Sequence, residues 1–495
     1  MQTYLLGIDI GTSSCKTGVF DAEGKLIAAA DAAYSVQYPQ PGWAQQRPED
    51  WWQAVIDCLK RLFSSGTVKA ADIAGIGVDG QSWAMVPMDK QGEALMPSPI
   101  WTDCRSKQEC EEMVECIGHE ALFSCSGNPV MPGYTLPKAL WYKHHEPDLY
   151  RQTEKILGSN GYIVYRLTGA WTLDLSQGYG WHCFDMAHGT WNKALAEALG
   201  ISSALLPELY PCSQVVGRVT PQAAAVTGLL AGTPVVAGGL DAACSAFGVG
   251  VIQSGETQEQ GGQAGGMSIC MDACRAHSSL ILSRHVVPGH WLLQGGTTGG
   301  GGALKWFREQ FCPELTFQQM TDAALQVRPG SNGLIFLPYM SGERSPLWNP
   351  DAKGVFFGLS FHTTRPQMIR AVMEGVAFSL RHNLETAQSA GAVIRIMRST
   401  GGSTHSEAWM QIKADVANCV LEVPQTEAAA VRGAAILAGI GTGVIKDWKK
   451  TAKSIPMNRP YRPDTENASL YDKQYRKYLQ LVSALEPIMK KETTC

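Results

Sequence analysis

The chain opens with a run of alternating character: Tyr4 to Ile10 is apolar and β-prone, Gly11-Thr12-Ser13-Ser14 cannot continue a strand, and Thr17 to Phe20 resumes it. This predicts a hairpin with a polar tip. Leu26 to Val36 reads as a third strand, and Pro48-Glu-Asp-Trp-Trp opens a helix in which Trp52, Val55, Ile56, Leu59 and Leu62 recur at helical spacing. Ile73 to Val78 is a short buried strand ending at Asp79-Gly-Gln-Ser. A comparable order returns later. Thr233 to Gly239 is a strand leading to Asp241, Ala242 to Phe247 begins a helix, and Glu256 to Met271 is a hairpin tipped by Gln260-Gly-Gly-Gln-Ala-Gly-Gly266. Arg395 to Ser399 is a strand entering Thr400-Gly-Gly-Ser403, a helix follows from about Ser406 to Asn418, and Ser469 to Lys490 is an amphipathic tail helix. The pattern predicts two related α/β halves facing a cleft.

The polar tips are where chemistry can sit. At a glycine turn, backbone N–H groups approach an anion closely, and Gly11, Thr12 and Ser13 supply such a turn with two hydroxyls, while Lys16 adds a positive charge. Asp9 beside that turn would repel a phosphate, so its sensible partner is a magnesium ion or a magnesium-bound water. An unliganded polar hairpin would look the same locally. Together with Asp241, a candidate base, the turn points to phosphoryl transfer, although Asp241 is equally suited to capping the helix that starts at Ala242. The turn Gly401-Gly402-Ser403 precedes a helix start that can accept a nucleoside or phosphate. Gly295-Gly-Thr-Thr-Gly-Gly-Gly-Gly302 lacks the Gly-Lys-Ser/Thr ending of a Walker loop, which leaves a flexible helix start or a contact to ATP.

With 495 residues the chain exceeds one ordinary core, and two domains of about 240 residues each are expected, divided as 1–238 and 239–495, with the C-terminal helix a candidate to pack back on the first. A hydrophobic share of 45%, a charged share of 17% and a net charge of -4, without a basic run carrying aromatics, exclude a nucleic-acid partner. No apolar run approaches the roughly 20 residues needed to span a bilayer, and Met1-Gln-Thr-Tyr enters a strand directly, so no membrane association and a cytoplasmic location are expected. The 14 cysteines lack regular spacing and a Cys-x-x-Cys pair, which reads as reduced thiols without structural zinc.

Longer motifs then match a family. Met131-Pro-Gly-Tyr-Thr-Leu-Pro-Lys-Ala-Leu-Trp141 resembles the first signature of the FGGY carbohydrate kinases, and Gly354-Val-Phe-Phe-Gly-Leu through Ala371-Val-Met-Glu374 resembles the second. Leu337-Pro-Tyr-Met-Ser-Gly-Glu-Arg-Ser-Pro346 and Trp101-Thr-Asp-Cys-Arg105 are similar to the xylulokinase branch. The resemblance implies an α/β fold of two actin/hexokinase-like (ribonuclease H-like) domains, ATP with Mg2+ in the cleft, and transfer of the γ-phosphate to a sugar hydroxyl. It implies that Asp241 is the base, that Gly11, Thr12 and Ser13 face the phosphates, with Lys16 and Gly262 among the ATP contacts, and that Gly401, Gly402 and Ser403 lie beside the adenosine. For the sugar it offers Gln81, Trp83, Asp103, Arg105, Asn128 and Asp241; it suggests a homodimer.

The chain departs from that branch where a Met-His-Gly would follow Gln81, since Ser82 and Trp83 stand there, and an indole stacks where an imidazole would bond. Trp83 is as readily a core aromatic. Ala242 follows the base in place of a polar residue, and Gln263-Ala264 replaces hydroxyls at the second hairpin. Losing hydrogen-bonding groups argues against assuming D-xylulose as the acceptor. The altered hairpin also motivates a different class, a noncatalytic sugar or nucleotide sensor. Asp103 and Arg105 could instead be an ion pair or a cap, and Glu343 and Arg344 are expected to form an internal ion pair supporting the cleft.

Overall fold

The computed structural model describes residues 3–426 and 428–489, so Met1 and Gln2, ahead of the expected opening strand, and Lys490 of the expected tail helix lie outside them. The first half is built on β1 (Tyr4–Ile10), β2 (Ser14–Phe20), β3 (Leu26–Ala33), α1 (Pro48–Ser64), β4 (Ile73–Gly80), β5 (Val215–Arg218), β6 (Pro234–Val236) and β7 (Gly239–Leu240). Its sheet runs β5-β6-β4-β1-β2-β3, with β7 also on β4. The β1, β2 and β3 strands are antiparallel, and β4 returns parallel to β1.

The second half continues through α2 (Asp241–Gly248), β8 (Glu256–Gly261), β9 (Gly265–Met271), β10 (Ile281–Arg284), β11 (Trp291–Thr297), α3 (Gly301–Phe311), α4 (Arg365–Ser389), β12 (Ile396–Thr400), α5 (Glu407–Ala417), β13 (Val420–Glu422), α6 (Ala429–Thr442) and α7 (Thr465–Met489). Its sheet, β10-β11-β9-β8-β12-β13, repeats the same plan: an antiparallel meander through β8, β9 and β11, then β12 and β13 parallel to β8. The two related α/β halves expected from the pattern are therefore present, each built on the same sheet plan.

Strand alternation decides what faces the cleft. In β1, Leu6, Ile8 and Ile10 enter a core shared with α1, whereas Leu5 turns to the other face, where the α6 backbone lies against Gly7. Asp9 continues that second face. The same alternation in β4 sends Ile76 and Val78 to the α1 core and Gly77 toward α6, and the pairs Gly7 with Gly77 and Asp9 with Asp79 are in register. Glycine is required here because a Cβ on Gly7 or Gly77 would overlap the carbonyl oxygen of Val431 or Ala434. The helices α2 and α6 cross as closely: a Cβ on Gly433 would overlap the Cys244 carbonyl, and one on Gly248 the Ala429 carbonyl.

Three expectations change at this level. The segment from the second half that packs on the first sheet is α6, while α7 lies on α5 and joins α4 through Arg370 to Tyr471 (2.9 Å) and Arg381 to Asp472 (2.7 Å). The third strand ends at Ala33, and β7 still pairs with Asp79 and Gly80, so the first sheet extends to Leu240. The 13 cysteines among the described residues are free.

Candidate functional site

Two cavities meet at the start of α2. One, of 480 Å³, has walls from Asp9, Gly11, Lys16, Gly401, Gly402 and the first turn of α6. The other, of 320 Å³, is bounded by Thr12, Ser82, Trp83, Trp101, Tyr179 and Arg344 among others. Asp241, Ala242 and Gln260 belong to both walls. A groove of 450 Å³ adjoins the first cavity through Gly402 and His405, running between α3 and α5 past Ser403 and Trp409.

Asp241 is the first residue of α2, and its Oδ1 accepts the N–H of Ala242 at 2.6 Å. Burial, then the negative charge of Asp9, push its carboxyl up to about 7, against a weaker pull from that N–H. The Asp9 carboxyl is raised by burial and held back by a hydrogen bond from Asp79 and by Lys16. Asp9 Oδ1 is buried and meets no other protein donor, and an orphaned acceptor on a cavity floor fits a cation. Mg2+ therefore fits Asp9.

Asp79 was missed in the sequence. It is fully buried, and burial, then Asp9 and Asp241, drive its carboxyl well above the ordinary range. The signal was present in the parallel wording of Gly7-Ile8-Asp9 and Gly77-Val78-Asp79, which the register sets side by side.

The phosphate turn is braced from beneath. Gln81 Nε2 donates to Gln46 Oε1 (2.8 Å), Gln46 Nε2 donates to the Thr12 carbonyl (2.8 Å), and Trp101 Nε1 donates to Thr12 Oγ1 (2.9 Å). Thr12 thus faces the second cavity. Ser13 is exposed and lines neither of the two, because the turn closed by the Gly11 N–H on Ser14 O (3.1 Å) points it outward. Gly262 lines the second cavity and the groove. Ser403 lines only the groove, and its hydroxyl accepts from Lys413 (2.9 Å), which is paired with Glu259 at 2.6 Å. The glycine run before α3 is neither a Walker loop nor a free chain end: the N–H groups of Gly301 and Gly302 donate to the carbonyls of Gly262 and Gln263 (2.8 and 2.9 Å), tying α3 to the tip of the second hairpin.

Four sugar-contact candidates are internal ties. Asp103 accepts from Ala44 N–H (2.6 Å) and from Arg105 Nη2 (2.9 Å), while Arg105 also reaches Gln45 and stacks over Trp43 at 3.9 Å. Asn128 is spent on the Leu282 backbone, donating to its carbonyl (2.8 Å) and accepting its N–H (2.9 Å). Gln81 gives its Nε2 to Gln46, while its Oε1 is buried without a partner among the described residues. None of the four lines the second cavity. Trp83 does line it and is also core, stacked on Tyr134 at 4.1 Å with a left-handed φ of 59°. Its carbonyl receives the buried Lys138 ammonium at 2.7 Å, with Ile100 O at 3.0 Å, and burial pushes that ammonium down to about 7. Lys138 belongs to the first signature motif, which here holds the Trp83 loop.

Residues 4–248 match the model of the FGGY family of carbohydrate kinases, N-terminal domain, and residues 275–442 that family's C-terminal domain. Xylulose kinase of Bacillus subtilis (strain 168) is 33% identical over 471 residues, 94% of each chain. Xylulose kinase of Escherichia coli (strain K12) is 31% identical over 487 residues, 98% of this chain and 99% of that one. The crystal structure of xylulose kinase from Rhodospirillum rubrum superposes with a TM-score of 0.92 at 31% identity, covering 99% of this chain and 100% of that one.

Proposed function

The chain belongs to the FGGY family of carbohydrate kinases and phosphorylates a sugar with ATP; from that premise we propose that it transfers the γ-phosphoryl group to a terminal hydroxyl of a ketopentose, xylulose-like, or of a related sugar or polyol. The observation that carries the site assignment is the position of Asp241, a carboxylate common to the walls of both cavities. In this reading residues 1–238 supply the phosphate turn and the Thr12, Ser82, Trp83, Trp101 and Tyr179 side of the acceptor cavity, and residues 239–495 supply the rest of that wall, the base and the adenosine groove. The family resemblance adds a homodimer. No described helix is long and apolar enough to cross a membrane.

The acceptor lies in the 320 Å³ cavity with its reacting hydroxyl toward Asp241, and the nucleotide phosphates lie along Gly11 and Lys16. The hydroxyl oxygen forms a bond to the γ-phosphorus, the bond from that phosphorus to the bridging oxygen breaks, ADP leaves with the electron pair, and the hydroxyl proton passes to Asp241. Lys16 and the turn N–H groups offset phosphate charge. Asp9 would hold Mg2+, which when bound neutralises charge on the transferring group. Water is the competing acceptor, so closure of the cleft over the sugar protects ATP.

A noncatalytic sensor has no use for a carboxyl facing both cavities and poised near neutrality. The deciding experiment is ADP release with ATP and magnesium across ketopentoses, aldoses, deoxysugars and sugar alcohols, against a control without acceptor. Strong stimulation by an acceptor is expected, and measurable binding with no stimulation by any would overturn the kinase assignment. The pH dependence is a second check. Protonation removes the base, and with a group near 7 the acceptor kcat/KM is expected to fall about tenfold from pH 8 to pH 6. A flat profile would sink the role of Asp241 as base.

A further inference from the structure

Arg344 and Asp241 are the charged side chains on the wall of the acceptor cavity. Both line it together with Tyr179. The Tyr179 phenol feels both the Asp241 carboxylate and the Arg344 guanidinium, whereas the charge acting on Asp241 is that of Asp9. The Arg344 guanidinium lies against Gly296, where a Cβ would sit 3.1 Å from Nη1, and its Cζ stands 5.5 Å over the Trp101 ring.

The ion pair expected between Glu343 and Arg344 does not form. Glu343 turns away and is satisfied by Thr297 Oγ1 (2.6 Å), Thr298 N–H (2.9 Å) and the backbone N–H of Arg344 (2.7 Å). Among the described residues the guanidinium has no hydrogen-bond acceptor and no carboxylate within ion-pair distance. The neighbouring polar groups are engaged: Tyr179 donates to Ser82 (2.5 Å) and Gln294 to Ser283 (2.7 Å). An arginine held this way in an aromatic-walled cavity carries a desolvation cost that nearby charges such as Glu343 offset only in part and no ion pair relieves. Its planar fork is matched by a carboxylate, which it binds through two parallel charge-assisted hydrogen bonds.

We propose that Arg344 reads a carboxylate on the acceptor, so that the preferred substrate is a sugar acid, bound with its carboxylate at Arg344 and its far terminal hydroxyl at Asp241. This rests on the kinase reading and narrows its acceptor to a polyhydroxy acid; the phosphoryl transfer itself is unchanged. A neutral sugar fills the same cavity but leaves the guanidinium with hydroxyl partners only. The other anion within the cleft is the γ-phosphate of ATP, and the test separates the two.

The test is ADP release by the full chain with ATP and magnesium, comparing five- and six-carbon aldonates with the ketopentose and alditol of equal length, in the wild type, Arg344→Lys and Arg344→Gln. The wild type is expected to favour the aldonate at least tenfold in kcat/KM. Arg344→Gln should collapse that ratio tenfold or more through the aldonate KM, and Arg344→Lys, which keeps the charge but loses the fork, should fall between. Preference for the neutral acceptor in the wild type overturns the proposal. So does a loss in Arg344→Gln that is equal for all acceptors or appears in the KM for ATP, which would place the guanidinium on the γ-phosphate. If no acceptor releases ADP, the kinase reading fails separately. Thermal unfolding with aldonate alone then decides: a stabilisation of the wild type that both variants lose or weaken supports the carboxylate site, and its absence in the wild type overturns it.

Discussion

Asp241→Asn is expected to lower kcat for acceptor phosphorylation by about 10²–10⁴-fold while acceptor binding stays within a few-fold of the wild type. The amide keeps the shape of the side chain, and its oxygen can still accept the Ala242 N–H that the carboxylate now holds at 2.6 Å. What it loses is the capacity to take a proton. Removing this negative charge should also relieve the repulsion by Asp9 that helps raise Asp241 and the repulsion by Asp241 that helps raise Asp79, so the variant is expected to fold at least as stably as the parent. Single-turnover ADP formation with acceptor, alongside calorimetric binding of the acceptor, checks this. A variant that transfers phosphate within tenfold of the parent would mean that the proton goes elsewhere.

Gly433→Ala is the second large effect, and it acts through backbone. The added methyl would occupy the space of the Cys244 carbonyl in α2, and a backbone atom cannot rotate aside as a side chain can. The helices must separate, at a cost of about 3 kcal/mol, the upper part of the usual range for overpacking. Since α2 begins at Asp241, the same displacement moves the base. The variant should lose thermal stability and, below its melting temperature, retain an activity deficit larger than Gly443→Ala, which changes a glycine with open space around it but a left-handed φ of 74°. Equal activities in the two would show that the crossing of α2 and α6 does not set the position of Asp241.

Much of this architecture was legible because alternation in β1 and β4 and the helical spacing of α1 are local signals, and because the glycine tips end strands wherever they occur. Repetition of the same order at residues 233–271 then gave the second half. The acceptor contacts were less legible for a physical reason. Asp103, Arg105, Gln81 and Asn128 are polar residues in conspicuous motifs, but a motif does not reveal whether a polar group faces a ligand or a distant backbone. Asn128 finds its partner 154 residues away at Leu282. Arg344 failed in the opposite direction: sequence adjacency to Glu343 suggested a pair, yet adjacent residues in extended chain point to opposite sides. Trp83 escaped a single assignment because it is both wall and core.

The bond between Asn128 and Leu282 has a consequence for solubility. Leu282 sits on β10, the outermost strand of the six-stranded sheet, and an unpaired strand edge is a template on which another chain can add. By offering one donor and one acceptor from a single side chain, Asn128 imitates one residue of a neighbouring strand and occupies that edge position with an amide from the same molecule. A residue conspicuous as a sugar contact therefore serves as a guard against edge-to-edge aggregation.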